Sequence, residues 1–112
     1  MPIPEHPTAA HGRTWGALAL AVFLVAAIVL GGQASRRGVD ADEGFYMMAG
    51  ANVLAGEHIY ADFFYPQMPY LPYLEAAAFA VTGPSLMGGR LVGVVTGALL
   101  AALLVVVAVR WT

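Results

Sequence analysis

Thr14-Trp15-Gly16-Ala17-Leu18-Ala19-Leu20-Ala21-Val22-Phe23-Leu24-Val25-Ala26-Ala27-Ile28-Val29-Leu30-Gly31-Gly32 runs for 19 residues without a charge. As a helix rising 1.5 Å per residue it is about 28 Å long, enough to cross a hydrocarbon core of ~30 Å. Trp15 falls where an aromatic anchor meets the membrane interface, and Gly31-Gly32 reads as a stop. The competing reading is a cleaved signal peptide, with Arg13 in its basic region and small residues up to Ala34-Ser35 at the cut. A second charge-free run, Leu91-Val92-Gly93-Val94-Val95-Thr96-Gly97-Ala98-Leu99-Leu100-Ala101-Ala102-Leu103-Leu104-Val105-Val106-Val107-Ala108-Val109, has the same length and lies between Arg90 and Arg110. The expected fold is therefore an all-α membrane protein, with transmembrane helices at residues 14–32 and 91–110. Gly93 and Gly97 form a Gly-x-x-x-Gly step, which permits close approach of another helix.

The totals agree with this class. The 112 residues are 60% hydrophobic and 11% charged, about half the charged share of an ordinary soluble domain, and mean hydropathy is +0.73. Net charge is −2, which excludes a basic nucleic-acid-binding surface. Cysteine is absent, which excludes disulfides and thiolate metal sites. Residues 1–13, with three prolines and two histidines, read as a disordered cytoplasmic tail; His6 and His11 lack a third ligand nearby and read as solvated.

Between the two runs, residues 33–90 form a long loop that is not featureless. It opens with Val39-Asp40-Ala41-Asp42-Glu43-Gly44-Phe45-Tyr46, three carboxylates within four positions. Like charges this close repel, so the cluster reads as a place where a proton, a cation or a hydroxyl is held. Residues 45–55 follow as a short surface helix, capped by Asp40 or Asp42 and ended by Gly56. Aromatics and prolines then crowd together from Tyr60 to Tyr73, and proline excludes a regular helix there. Residues 71–81 form a short interfacial or re-entrant helix ending at Thr82-Gly83-Pro84. Glu57 and Glu75 read as surface charges.

This loop resembles the first extracytoplasmic loop of polyprenyl-phosphate-sugar-dependent membrane glycosyltransferases. That family includes the dolichyl-phosphate-mannose–protein mannosyltransferase-like enzymes and the bacterial aminoarabinose transferases, of the C-type glycosyltransferase superfold. The resemblance is carried by five ordered pieces. They are Asp40-Ala41-Asp42-Glu43-Gly44-Phe45-Tyr46 leading to Ala49 and Leu54-Ala55-Gly56; Ile59-Tyr60-Ala61-Asp62-Phe63-Phe64; Gln67-Met68-Pro69; Gly83-Pro84-Ser85; and Arg90-Leu91. Where relatives often carry a basic residue or glutamine followed by two prolines, this chain has Gln67-Met68-Pro69.

The resemblance implies an inverting transfer of a sugar from a polyprenyl phosphate to a hydroxyl of a protein, lipid or glycan, at the outer face of a bacterial plasma (inner) membrane. It implies Asp42 as the base, with Glu43, Asp40, Tyr46, Asp62, Gln67 and Arg90 in contact with substrate. It also implies that these residues are the N-terminal piece of a larger multi-span fold, truncated after residues 111–112. A carboxylate suits deprotonation of the attacking hydroxyl, and repulsion from Glu43 and Asp40 would raise the proton affinity of Asp42. Arginine forks suit a leaving phosphate, with Arg90 ahead of Arg36 and Arg37, for which lipid-headgroup contact is the simpler role. Tyr46, Tyr60 and Tyr65 read as sugar-stacking or interfacial residues, and His58 as a secondary proton-transfer candidate. Asp40-x-Asp42 would also suit Mg²⁺ or Mn²⁺.

The arginine count by itself, with Arg36, Arg37 and Arg90 in the loop, favours a cytoplasmic loop; the extracytoplasmic expectation follows the resemblance. Two other functions fit the same residues. One is a small non-catalytic membrane protein binding lipid or a partner through the aromatic loop. The other is a transporter fragment binding a cation at Asp40, Asp42 and Glu43.

Overall fold

The computed structural model describes residues 9–112, with side chains from residue 11. Four helices account for most of it: α1, Ala9–Arg36; α2, Ala41–Leu54; α3, Tyr70–Thr82; and α4, Leu86–Trp111. Among the described residues there is no strand, only one isolated bridge between Ile59 and Phe63. Helices α1 and α4 are long and apolar enough to cross a membrane. They pack against one another, and Leu24, Ile28, Leu100, Leu103 and Leu104 remain exposed on them. Apolar surface of this extent is stable only against lipid or another protein. The pair forms the long axis of a body measuring 62 × 33 × 22 Å.

The apolar runs locate both long helices, and the structure corrects their ends. Helix α1 begins at Ala9, so residues 9–13 are helical rather than part of a disordered tail; residues 1–8, with His6, lie outside the described residues. Gly31-Gly32 does not stop α1, which continues to Arg36. Two glycines weaken a helix without ending it when its last carbonyls find partners, and here those partners come from α4. Helix α4 starts at Leu86, five residues before the expected position. Ser85 caps it, its Oγ accepting from the Gly88 N–H at 3.0 Å, and Arg90 therefore lies inside the second turn. The Gly-x-x-x-Gly step is used at one end. A Cβ on Gly97 would meet Leu30 Cδ1 of α1 at 2.9 Å, whereas nothing lies within 4 Å of one on Gly93.

Helices α2 and α3 lie at one end of the α1–α4 pair. Asp40 is the N-cap of α2 in a capping box, and its backbone N–H donates to Glu43 Oε2 at 3.5 Å. The helix ends as expected, with Gly56 just beyond Ala55 at φ 95°. Helix α3 matches the short helix expected at residues 71–81 to within a residue at each end and includes Pro72. Pro72 sits in the first turn, where no intrahelical N–H bond is lost, and its side chain is fully buried. Gly50 of α2 packs on Glu75 and Phe79 of α3, and Gly88 of α4 packs on Phe79 and Thr82. The intervening loop folds onto α2, burying Tyr65 and Ile59 against Ala49, with Tyr46, Val53 and Phe63 around them.

Candidate functional site

The site is built around Arg90. Its guanidinium has five N–H donors, and all five are engaged. Nε donates to Glu43 Oε1 at 2.7 Å and Nη2 to Glu43 Oε2 at 2.9 Å. The second Nη2 proton goes to the Gly38 carbonyl at 3.0 Å. Nη1 donates to the carbonyls of Arg37, at 3.0 Å, and of Ala34. One side chain from α4 therefore satisfies the C-terminal end of α1 and the first turn of α2. Both partners are removed from water, with side-chain exposures of 6% for Arg90 and 10% for Glu43. The hydrogen bond from Arg90 holds the Glu43 carboxyl below its ordinary pKa, opposed by partial burial and aided by the Asp40 N–H. Arg37, largely exposed, adds a longer contact to Glu43 at 3.6 Å.

Beside this pair lies an open cavity of about 410 Å³ bounded by all four helices. Its polar wall includes Arg37, Asp40, Asp42, Glu43, Tyr46 and Glu75. Leu30, Leu71 and Val94 supply apolar surface. The volume falls within the range of small-ligand sites. The structure thus brings Asp40, Asp42, Glu43, Tyr46 and Arg90 to one cavity and separates their bonding. Glu43 is committed to Arg90 and Asp40 to the cap of α2. Asp42 is exposed at the cavity wall, and its side chain makes no hydrogen bond or ion pair with the described residues.

Three expectations change. Arg90 has no donor left for a phosphate, so Arg37 is the cavity's remaining cationic side chain among the described residues. The carboxylates are not three equivalent free charges, because Glu43 is neutralised by Arg90; the repulsion invoked for Asp42 is correspondingly reduced. Glu75 is not a surface charge. It is 4% exposed, and its Oε2 has no hydrogen-bond partner. Burial, with a smaller contribution from Glu43, pushes its pKa up to about 7. The signal was present in the sequence: Glu75 is the only charge within residues 71–81.

Asp62 and Gln67 do not line this cavity. Asp62 Oδ2 accepts from the His58 N–H at 2.7 Å and lies 3.1 Å from His58 Nδ1; those bonds hold the Asp62 carboxyl below its usual range. His58 is therefore part of a loop turn, away from the acid cluster. Gln67 Nε2 donates to Tyr46 Oη at 2.8 Å, and its carbonyl accepts from Tyr60 Oη at 2.5 Å. Gln67 thus holds a cavity tyrosine from behind. Tyr65 stacks on Phe45 with ring centroids 5.8 Å apart, and burial raises its pKa.

Among the described residues no three of His, Cys, Asp and Glu are placed to hold a metal ion. Asp40 and Asp42 supply at most two carboxylates, and the first is a helix cap. No protein-family model, curated protein or solved structure matches this chain.

Proposed function

We propose that this chain carries the acceptor-activating region of an inverting membrane glycosyltransferase that uses a polyprenyl-phosphate sugar. The observation that carries the reading is the division of labour in the acid cluster. Glu43 and Asp40 are engaged in holding the structure, which leaves Asp42 as the carboxylate of the Asp-Glu pair open to a ligand. The cavity stands at the end of two helices suited to crossing a membrane, where a lipid-linked donor and a polar acceptor would meet.

In this reading Asp42 accepts the proton of an acceptor hydroxyl as that oxygen attacks the anomeric carbon. The new C–O bond forms on one face while the bond to the phosphate oxygen breaks on the other, so the configuration inverts. The phosphate leaves on its polyprenyl carrier with the bonding electron pair. Arg37, exposed and beside the cavity, is the side chain suited to meet that charge. Tyr46, fixed by Gln67, presents a ring and hydroxyl to a sugar. The open cavity and the exposed apolar faces of α1 and α4 favour further spans packed beside them.

The test uses membranes containing the protein in its natural reading frame, supplied with radiolabelled polyprenyl-phosphate hexose. Release of polyprenyl phosphate with transfer of label to membrane acceptors is expected. Asp42→Asn should reduce it by at least about 10²-fold, the range ascribed to a positioned general base, with unchanged insertion. Full transfer by that variant overturns the assignment.

A further inference from the structure

Glu75 is a buried ionisable group of the cavity that has neither a task in the proposed reaction nor, at Oε2, a partner among the described residues. Its side chain lies between α3 and α2, with Gly50 beside it; a Cβ on Gly50 would come within 2.6 Å of Glu75 Cβ and 3.0 Å of Oε2. The carboxyl is walled on that side by backbone, and Oε2 finds no partner. An unpaired buried oxygen is costly. The space open to the side chain is the cavity it lines.

The charge around it selects what can fill that space. Arg37 and Arg90 line the cavity together with Asp40, Asp42 and Glu43, so carboxylates are already in excess before Glu75 is counted. Neither an ionised Glu75 nor an added anion is favoured there. A protonated carboxyl offers one donor and acceptor lone pairs. A hydroxyl group, also both donor and acceptor, satisfies it whichever oxygen carries the proton. We propose that Glu75 is a ligand-binding residue of this cavity, whose unpaired oxygen is completed by a hydroxyl of a neutral, polyhydroxylated ligand. The Leu30, Leu71 and Val94 surface accommodates an apolar substituent on that ligand. Burial pushes the Glu75 pKa up to about 7, which keeps the protonated form well populated at neutrality, consistent with the role. The inference rests on the reading that the cavity receives a hydroxyl-bearing substrate and adds a contact to it.

The experiment uses the full chain in phosphatidylethanolamine–phosphatidylglycerol nanodiscs, with n-butyl β-D-glucopyranoside as probe and n-butylammonium and n-butyl phosphate as charged comparisons. Saturable binding of the glucoside is expected, in preference to both ions. Glu75→Leu should weaken it about tenfold or more while the unfolding temperature holds or rises, because an unsatisfied polar group has been removed. Glu75→Gln should stay within about threefold of the parent. The infrared carbonyl band of the protonated carboxyl, assigned by its absence in Glu75→Gln, should shift when the glucoside is added to the parent protein, a readout that needs no folded leucine variant. Unchanged affinity in Glu75→Leu, an unmoved carboxyl band, absence of saturable glucoside binding or preference for n-butylammonium each overturns the inference. Transfer that needs Asp42, with glucoside binding indifferent to Glu75, removes this contact and leaves the proposed reaction. Glu75-dependent binding in a protein that transfers no sugar does the reverse.

Discussion

Glu43 and Arg90, 47 positions apart in sequence, meet through two parallel hydrogen bonds of 2.7 and 2.9 Å. The fork-to-carboxylate geometry is the arrangement that arginine makes and lysine cannot. Arg90→Lys should therefore lower the unfolding midpoint by on the order of 10 °C, since one ammonium cannot reach Glu43 and three carbonyls together. Thermal unfolding in detergent checks this. Glu43→Gln combined with Arg90→Gln should cost less than the sum of the single changes.

Asp40 and Asp42 should separate stability from activity. Asp40→Ala removes the cap of α2 and is expected to destabilise by about 1 kcal/mol. Asp42→Asn leaves every hydrogen bond among the described residues in place and should leave the unfolding midpoint unchanged while reducing the proposed transfer by at least about 10²-fold. Equal loss of stability in both variants would make the whole cluster structural.

Glu75 gives a pH dependence of a particular sign. Its folded pKa, about 7, lies above the ordinary value of 4.5, so the folded state holds the proton more tightly. Its contribution is fully present below pH 4.5 and is lost as pH rises towards and through 7. Glu43 and Asp62, both lowered, act oppositely: their contributions are present above the ordinary carboxylate range and are lost as pH falls through their folded values. Unfolding midpoints measured from pH 4.5 to 8 should decline with pH in the parent protein and decline less in Glu75→Gln.

Gly50→Ala should destabilise by about 1–3 kcal/mol, because the added Cβ overlaps Glu75 Cβ. Shortening the partner, in Gly50→Ala with Glu75→Ala, should restore most of the loss. Paired denaturation curves measure this coupling.

What the sequence conveyed follows from what each signal encodes. Charge-free runs of 19 residues located α1 and α4 because an uninterrupted apolar run of that length is sustained by a helix able to cross a hydrocarbon core. Gly56 and the Gly83-Pro84 pair marked the ends of α2 and α3 because backbone conformation there is local: Gly56 and Gly83 adopt φ of 95° and 77°. The helix ends near Arg36 and Arg90 were missed for the opposite reason. Continuation past Gly31-Gly32 accompanies capping of the last carbonyls by an arginine more than fifty positions later, a partnership that periodicity does not carry. The same holds for the site. The acid cluster stood out, but which carboxylate is committed depends on Arg90, and the burial of Glu75 depends on the absence of a side chain at Gly50.

The Arg90 bonds also constrain the order of assembly. Ala34, Arg37, Gly38 and Glu43 all leave the ribosome well before the guanidinium that holds them. Until Arg90 emerges, the end of the first helix has open carbonyls and Glu43 has only the exposed Arg37 as a counter-ion. The segment between the two long helices is therefore clasped only when the second one arrives. A nascent chain halted before residue 90 should remain open to protease at residues 34–43, and one released beyond it should close.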